Sequence, residues 1–236
     1  MSNGIKVKKR NGRGTEALNL EKMHKMVEEA TKGIAGVSAS QVEIQSGIQF
    51  YDGITTAEIQ EILIKSASDL IDLDHPNYQF VAARLLLFSI RKSLYGRSRD
   101  MPLLEDHIVA CVNKEVYDAD IYTKYSKEDI EKANGYIDHN RDFLFTYAGL
   151  RQVVDKYLVQ DRSTNEVYET PQFMYMMIAL TIFAEYPKQT RLNYVRRYYD
   201  AISKHKLNIP TPIMAGVRTP IRQFASCVLV DIDDTL

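Results

Sequence analysis

The sequence predicts a mainly α-helical fold that begins with a β-hairpin and runs into a buried strand near residue 230. Apolar residues recur at spacings of three, four and seven along most of the chain, as on one face of a helix. The pair Asn11-Gly12 lies between short extended runs and indicates the hairpin, because both residues tolerate the positive φ of a tight turn. The apolar run at 228–230 follows a proline-rich loop and predicts the strand.

Each helix predicted in the first 96 residues has a start signal. The signals are Asn19, Ser38 with Gln41, Thr55 with Glu58, and Pro76. The turn Asp52-Gly53 precedes the third helix, and the fourth is expected to stop at Gly96. The hairpin and these four helices form the first predicted unit.

A polar stretch with a proline, residues 97–102, indicates a linker to a second helical region. Helices are predicted there after Ser126, over 143–159, after Thr170-Pro171 and over 188–204, with a hairpin loop at 161–168. The sequence has no internal repeat and no low-complexity stretch.

Composition excludes several classes of protein. The chain is 45% hydrophobic and 26% charged, as in ordinary globular domains, and its net charge of −1 gives no reason to expect nucleic acid. The apolar stretch 173–184 is shorter than the roughly 20 residues that cross a bilayer, and no secretory signal is present. We therefore expect the cytoplasm, or the host cytoplasm if the chain is encoded by a phage.

Nucleotide binding would depend on side-chain cations, because the sequence contains no glycine-rich phosphate loop. Lys9, Arg10, Lys22 and Lys92 are the candidates in the first unit, since a triphosphate carries about four negative charges. The alternatives stay open: Lys92 can offset the dipole of a helix C-terminus, and Lys22 can lie on a solvated face.

Cys227 is the candidate for nucleophilic or redox chemistry, because it directly follows a polar loop. The alternative is an unreactive core cysteine, which is how Cys111 in its apolar helical stretch is interpreted. Neither cysteine has a Cys-x-x-Cys companion, which excludes a structural zinc site. His139 is interpreted as part of a polar surface network, and the acidic residues after 230 as a strand end.

Two separated stretches resemble a known enzyme family. The segments 7–12, 18–22, 51–56, 82–85 and 91–92 closely resemble the ATP-cone, a regulatory nucleotide-binding unit found ahead of ribonucleotide reductases. The segments 210–220 and 223–227 resemble the start of the catalytic barrel in the class I ribonucleotide reductase large subunit, and the helices in between resemble its N-terminal helical domain. The resemblance implies a cone at 1–96, a helical domain at 97–208, and the truncated start of an α/β barrel at 209–236, with its first strand.

The cone of this family binds ATP, which permits activity, or dATP, which inhibits it. The contacts that the resemblance carries over are Lys9, Arg10, Glu16, Ala17, Leu18, Asn19, Leu20, Glu21, Lys22, Thr56 and Lys92. The basic side chains would hold the phosphates, with Mg²⁺ expected beside them, and the others would surround the base and sugar. Gln60 replaces a histidine of the better-known bacterial pattern, and because glutamine adds no charge, inhibition by dATP stays open.

The resemblance also implies part of a substrate site. Thr211 and Ser226 match contacts to a ribonucleoside diphosphate, Cys227 matches one of two cysteines that supply electrons, and Asp234, Thr235 and Leu236 match the beginning of a specificity-effector site. In the family, a thiyl radical takes the 3′ hydrogen, the 2′ hydroxyl leaves as water, and the reducing dithiol becomes a disulfide. The thiyl cysteine, the second reductant and the catalytic glutamate and asparagine have no match, so we expect these 236 residues alone to be inactive.

The implied partners are the remaining catalytic part of the large subunit, a second large subunit, a radical-generating small subunit, and thioredoxin or glutaredoxin. No metal cofactor is expected in this chain. The alternative function is a stand-alone nucleotide-sensing cone without catalysis. Cones also occur in a transcriptional repressor behind a zinc ribbon, but the residues before Val7 contain no cysteine. A purely structural helical domain would leave the 211–227 loop without a role.

Overall fold

The computed structural model describes residues 4–9 and 14–230, which are mainly helical, as predicted. Helices α1 to α4 are Leu20–Thr31, Ala39–Gly47, Thr56–Asp69 and Tyr78–Tyr95. Helices α5 to α11 are Leu104–Asn113, Ile121–Lys124, Lys127–Asn134, Tyr147–Lys156, Pro171–Ile182, Arg191–Ser203 and Thr211–Gly216. A 3₁₀ helix spans His139–Leu144. Strands β1, Lys6–Lys8, and β2, Thr15–Ala17, pair antiparallel, as do β3, Gln160–Asp161, and β4, Glu166–Val167.

The chain divides into two compact units. The described residues of Met1–Met101 and Asn140–Val153 form the first unit, and those of Pro102–His139 and Val154–Leu236 form the second. The division into domains at 1–96, 97–208 and 209–236 stays a prediction.

The predicted hairpin of the first unit is confirmed, although its turn at Asn11-Gly12 lies outside the described residues. β1 is also held on its second edge, because Lys8 N donates to Ile54 O at 2.8 Å and Gly53 N donates to Lys6 O at 2.8 Å. Gly53 has a φ of 84°, a conformation that favours glycine. The tight turn at this glycine brings the start of α3 beside the hairpin.

Predicted caps begin and end the helices of the first unit. Asn19 accepts a hydrogen bond from Lys22 N at 2.9 Å at the start of α1. Thr55 and Glu58 form the reciprocal capping box of α3, and Gly96 ends α4 with a φ of 70°. Because these bonds satisfy groups that a helix end leaves unpaired, local sequence is enough to place these helix ends.

The apolar faces of these helices meet in one core. Its fully buried members include Val27, Ala30, Val42, Ile54, Leu63, Ala67, Val81, Leu85 and Leu87. The segment after residue 140 adds to this core: Arg91 Nη2 donates to Asp142 Oδ2 at 2.9 Å, and both side chains are buried. The rings of Phe88 and Phe143 pack edge to face, with centroids 6.3 Å apart. Residues 140–153 thus belong to the first unit physically, although they follow its other residues by some 40 positions.

The second unit is built around α9, in which every residue from Pro171 to Leu180 is buried. Pro171 occupies the first turn of α9, as predicted, because its missing N–H has no partner there in any helix. α10 packs against α9, where Tyr199 Oη donates to Gln172 Oε1 at 2.7 Å. The capping box that opens α7 at Ser126 and the hairpin formed by β3 and β4 are confirmed.

Three predicted helix boundaries are wrong. α4 begins at Tyr78 rather than Pro76. The residues from His75 form a turn instead, in which backbone N–H groups donate to the carbonyl three residues earlier. The helix expected over 143–159 is divided into the 3₁₀ helix and α8. α10 begins at Arg191 rather than at 188, since Thr190 N and Arg191 N both donate to Pro187 O and form a turn ahead of the helix.

The buried strand predicted at 228–230 is also wrong. Val228, Leu229 and Val230 are exposed and belong to neither helix nor strand. A strand needs a neighbour for its backbone N–H and C=O groups, and within residues 4–9 and 14–230 no strand pairs with this segment. Among the described helices, none is long and apolar enough to cross a membrane.

Candidate functional site

A pocket of about 180 Å³ opens in the first unit between the hairpin, α1, α3 and the end of α4. It is lined by Val7, Glu16, Ala17, Leu18, Asn19, Lys22, Met23, Met26, Thr56, Ile59, Gln60 and Lys92. Seven of the predicted cone contacts are among these residues, and they come from β2, the connection to α1, α1 itself, α3 and α4. The fold therefore brings together residues that are far apart in the sequence.

Glu16 shares the pocket with Lys22 and Lys92 and pairs with Lys9. Lys9 Nζ lies 3.0 Å from Glu16 Oε2. This hydrogen bond, together with the charges of Lys9, Lys22 and Lys92, lowers the pKa of Glu16 below its ordinary value. Lys22 and Lys92 line the same pocket as Glu16, and Lys9 pairs with this carboxylate, so three cations are available to an anion at this place. Lys9 acts at the edge of this group and does not itself line the pocket.

The other wall of the pocket is apolar. Met23 and Met26 come from α1, and Ile59 comes from α3. The sequence did not assign any of these three residues to a binding site. Periodicity shows which face of a helix is covered, and it does not tell a core position from the floor of a pocket.

Gln60 lines the pocket and is nearly fully buried, at 3% exposure. Its Nε2 donates to Leu85 O on α4 at 3.1 Å. The amide is thus fixed by α4, and the position contributes hydrogen-bonding atoms but no charge.

Some of the predicted contacts lie elsewhere. Leu20 and Glu21 line a neighbouring groove on the other side of α1, where Glu21 pairs with Lys25 at 2.6 Å. His24 also lines this groove, and its hydrogen bond to Glu43 raises the pKa of the imidazole. The prediction for Arg10 lies outside the described residues.

The predicted substrate residues lie in the second unit. Thr211 is exposed at the first position of α11, and Ser226 and Cys227 are exposed in the irregular segment that follows. Ser226 Oγ lies 3.8 Å from Cys227 Sγ. The specificity-effector residues Asp234, Thr235 and Leu236 lie outside the described residues, so their role stays a prediction, as do those of Thr211, Ser226 and Cys227.

The two cysteines have opposite environments, as the sequence suggested. Cys111 is buried, and burial raises the pKa of its thiol to about 12, which keeps it protonated at neutral pH. Cys227 is accessible to solvent. Among the described residues, no group of three or more His, Cys, Asp or Glu side chains is arranged to hold a metal ion.

Two protein-family models match this chain. Residues 5–93 match the ATP cone domain, and residues 143–222 match the all-alpha domain of ribonucleotide reductase. The first match contains every residue that lines the pocket of the first unit. The ATP-cone, an allosteric nucleotide-binding domain, is therefore present in this chain.

Relatives that match most or all of this chain are named as ribonucleoside-diphosphate reductase alpha subunits. Over 236 residues, the chain is 50% identical to the ribonucleoside-diphosphate reductase subunit alpha of Haemophilus influenzae and 49% identical to the reductase 1 subunit alpha of Escherichia coli K12. Each match covers 100% of this chain and 31% of the relative. The subunit alpha of Enterobacteria phage T4 is 45% identical over 203 residues, or 85% of this chain and 27% of the relative.

The chain thus spans less than a third of the length of these relatives, in their N-terminal part. The pocket, the two family matches and the identity along the full sequence agree with one another. The chain belongs to the family of ribonucleoside-diphosphate reductase alpha subunits.

Proposed function

We propose that this chain is the regulatory N-terminal part of a ribonucleoside-diphosphate reductase large subunit, and that its cone binds ATP or dATP as the activity effector. The observation that carries the proposal is the pocket of the first unit, where Lys22 and Lys92 converge with the Lys9–Glu16 pair. A triphosphate would replace the Glu16 carboxylate as the main anion beside these three lysines. It would gain several charge-assisted hydrogen bonds from them.

The apolar wall of the pocket fits the other half of the ligand. Met23, Met26 and Ile59 offer a surface for the base, while Thr56 and Asn19 offer polar groups to the sugar. Mg²⁺ would be bound mainly through the phosphates, because Glu16, the carboxylate among the described lining residues, is already paired with Lys9.

Isothermal titration calorimetry of the 236-residue chain with ATP and with dATP tests this proposal. The whole chain is the right sample, because a piece ending at residue 96 would lack Asp142, the buried partner of Arg91. We expect saturable binding of both nucleotides at one pocket. Absence of heat with either nucleotide at millimolar concentration would contradict the proposal.

We further propose that the segment 211–227 contributes to the substrate site, with Thr211 and Ser226 contacting a ribonucleoside diphosphate. Cys227 would supply one of two electrons by forming a disulfide with a second cysteine of the complete subunit, which thioredoxin or glutaredoxin would reduce again. The exposure of Cys227 fits this role, since a reductant thiol must be reached by an external dithiol.

The test is a reductase assembled from this chain, the remaining part of a large subunit and a radical-generating small subunit, with dimeric large subunits expected. Cys227→Ser should abolish multiple turnover with a dithiol reductant but leave effector binding intact. Cys111→Ser is the control, because the buried thiol should affect stability and not electron supply. Nucleotide binding without any turnover by the assembled wild type would favour a stand-alone sensing module instead.

A further inference from the structure

The second unit contains a buried carboxylate on which four hydrogen-bond donors converge. Glu169 has no exposed surface, and it accepts hydrogen bonds from Arg218 Nε at 2.9 Å, from Arg218 Nη2, and from the hydroxyl of Tyr117. Val159 N donates to Glu169 Oε1 at 2.6 Å. One side chain thus connects three segments that are distant in the sequence. The proposed catalytic chemistry uses none of these groups.

Arg218 extends this network to α11. Its Nη1 donates to Met214 O inside α11 at 2.6 Å, and its Nη2 donates to Tyr157 O at 2.9 Å. Its own carbonyl accepts from Asp118 N at 3.0 Å. Burial alone would lower the pKa of the Arg218 guanidinium. The charge of the adjacent Glu169 outweighs this effect, so the pKa is raised. The planar fork therefore remains charged and holds three groups in one fixed geometry.

α11 needs such an anchor because it has only six residues. Isolated helices shorter than about 12 residues are marginal in water, so tertiary contacts must set the position of α11. Thr211 lies at one end of this helix and Arg218 just beyond the other. The following segment packs back on the helix at Gly216, where an added methyl group would meet the Phe224 ring at 3.4 Å.

Stability alone gives a weak reason for this ion pair. Apolar side chains of similar volume often replace a buried pair with no loss of stability, because desolvation offsets the attraction. What apolar side chains cannot reproduce is the directed set of hydrogen bonds to Met214 O and Tyr157 O.

We infer that Glu169, acting through Arg218, is a positioning residue that holds α11, and with it Thr211, in the orientation that substrate binding requires. This inference rests on the proposed substrate role of the segment 211–227. The orientation of α11 itself can be measured without any substrate, so the two can be tested separately.

The first test measures amide hydrogen exchange in the wild-type chain, in two variants at Glu169 and in one control variant. Glu169→Gln leaves the Arg218 charge uncompensated, whereas Glu169→Gln/Arg218→Met removes both charges and keeps an acceptor for Tyr117 and Val159. We expect amide exchange in α11 to rise by about tenfold or more in both variants, while α9 and α10 of the double variant stay protected as in the wild type. Arg222→Gln, which removes an exposed cation of the same segment, should leave α11 unchanged.

Two results would overturn the inference. One is α11 exchange at the wild-type rate in the double variant, which would show that only charge compensation matters. The other is joint loss of protection in α9, α10 and α11 of the double variant, which would indicate general instability. If Glu169→Gln alone unfolds the second unit, the double variant decides the question.

The second test uses the assembled reductase. The double variant should raise the KM for a ribonucleoside diphosphate by about tenfold or more, with unchanged ATP binding by the cone. An unchanged KM would overturn the link between Glu169 and substrate. An inactive wild-type assembly would instead refute the proposed function, while the exchange data would still decide whether Glu169 orients α11.

Discussion

Replacing Lys92 with alanine should weaken ATP binding by the cone without unfolding it. Lys92 lies in the last turn of α4 and lines the pocket beside Lys22, and its charge contributes to the lowered pKa of Glu16. The alanine variant removes one ammonium group from the set that would hold the phosphates. The helix itself should lose only about 0.3–1 kcal/mol, the usual effect of a cation near a helix C-terminus.

The magnitude follows from the exposure of the site. A unit-charge pair at about 4 Å is stabilised by about 1 kcal/mol in water and about 4 kcal/mol at the edge of a protein. Because the pocket is open to solvent and Glu16 already screens part of the positive charge, we expect a loss of about 1–3 kcal/mol. This corresponds to an ATP dissociation constant about 5- to 150-fold higher.

Calorimetric titration of the 236-residue chain at fixed ionic strength measures this change. Lys25→Ala is the matched control. Lys25 lies one turn after Lys22 in α1, does not line the pocket, and pairs with Glu21, which does not line it either. The control should bind ATP within about twofold of the wild type, since the exposed Lys25 is already paired with Glu21 and its charge is screened by salt. ATP binding by Lys92→Ala as tight as by the wild type, or equally weakened binding by Lys25→Ala, would refute a phosphate-binding role of Lys92.

Three further predictions concern stability and the thiols. Asp142→Asn should lower the free energy of unfolding of the first unit by about 3 kcal/mol, because it removes one charge of the buried Arg91–Asp142 ion pair, and urea melts with and without ATP measure this. Burial lowers the pKa of His107 from 6.5 to about 4, so between these pH values the unfolded chain binds more protons than the folded one. The second unit should therefore lose up to about 3 kcal/mol as the pH falls through this window, whereas thermal melts of His107→Gln should show a smaller pH dependence; equal slopes would contradict the assignment. In the native chain at about pH 8, a thiol reagent should modify Cys227 quickly and Cys111 only on unfolding, because a thiol with a pKa of about 12 is ionised in about one molecule in 10⁴. Rapid labelling that persists in Cys227→Ser would show that the wrong thiol was considered accessible.

Local signals in the sequence were enough to predict much of the first unit. Asn19 and the Thr55–Glu58 box begin α1 and α3, and Gly96 ends α4, because each acts on backbone groups within a few residues. The resemblance to the cone also placed Glu16, Lys22, Thr56 and Lys92 in one site, and these residues do line one pocket. Arg10 and the residues after 230 lie outside the described part of the chain, and the roles of Thr211, Ser226 and Cys227 stay predictions.

Other features depend on contacts between residues that are distant in the chain. The apolar run at 228–230 predicted a strand, but strand formation depends on a pairing partner, and the described residues supply none. Three features arise only where separate elements meet: the apolar wall of the pocket, the fixed amide of Gln60 and the Arg91–Asp142 pair. The same holds for Glu169 and Arg218, which are 49 residues apart and join only once the second unit has formed. Hydrogen bonds within a few residues are encoded locally, whereas burial and the pairing of distant charges exist only after the chain has packed.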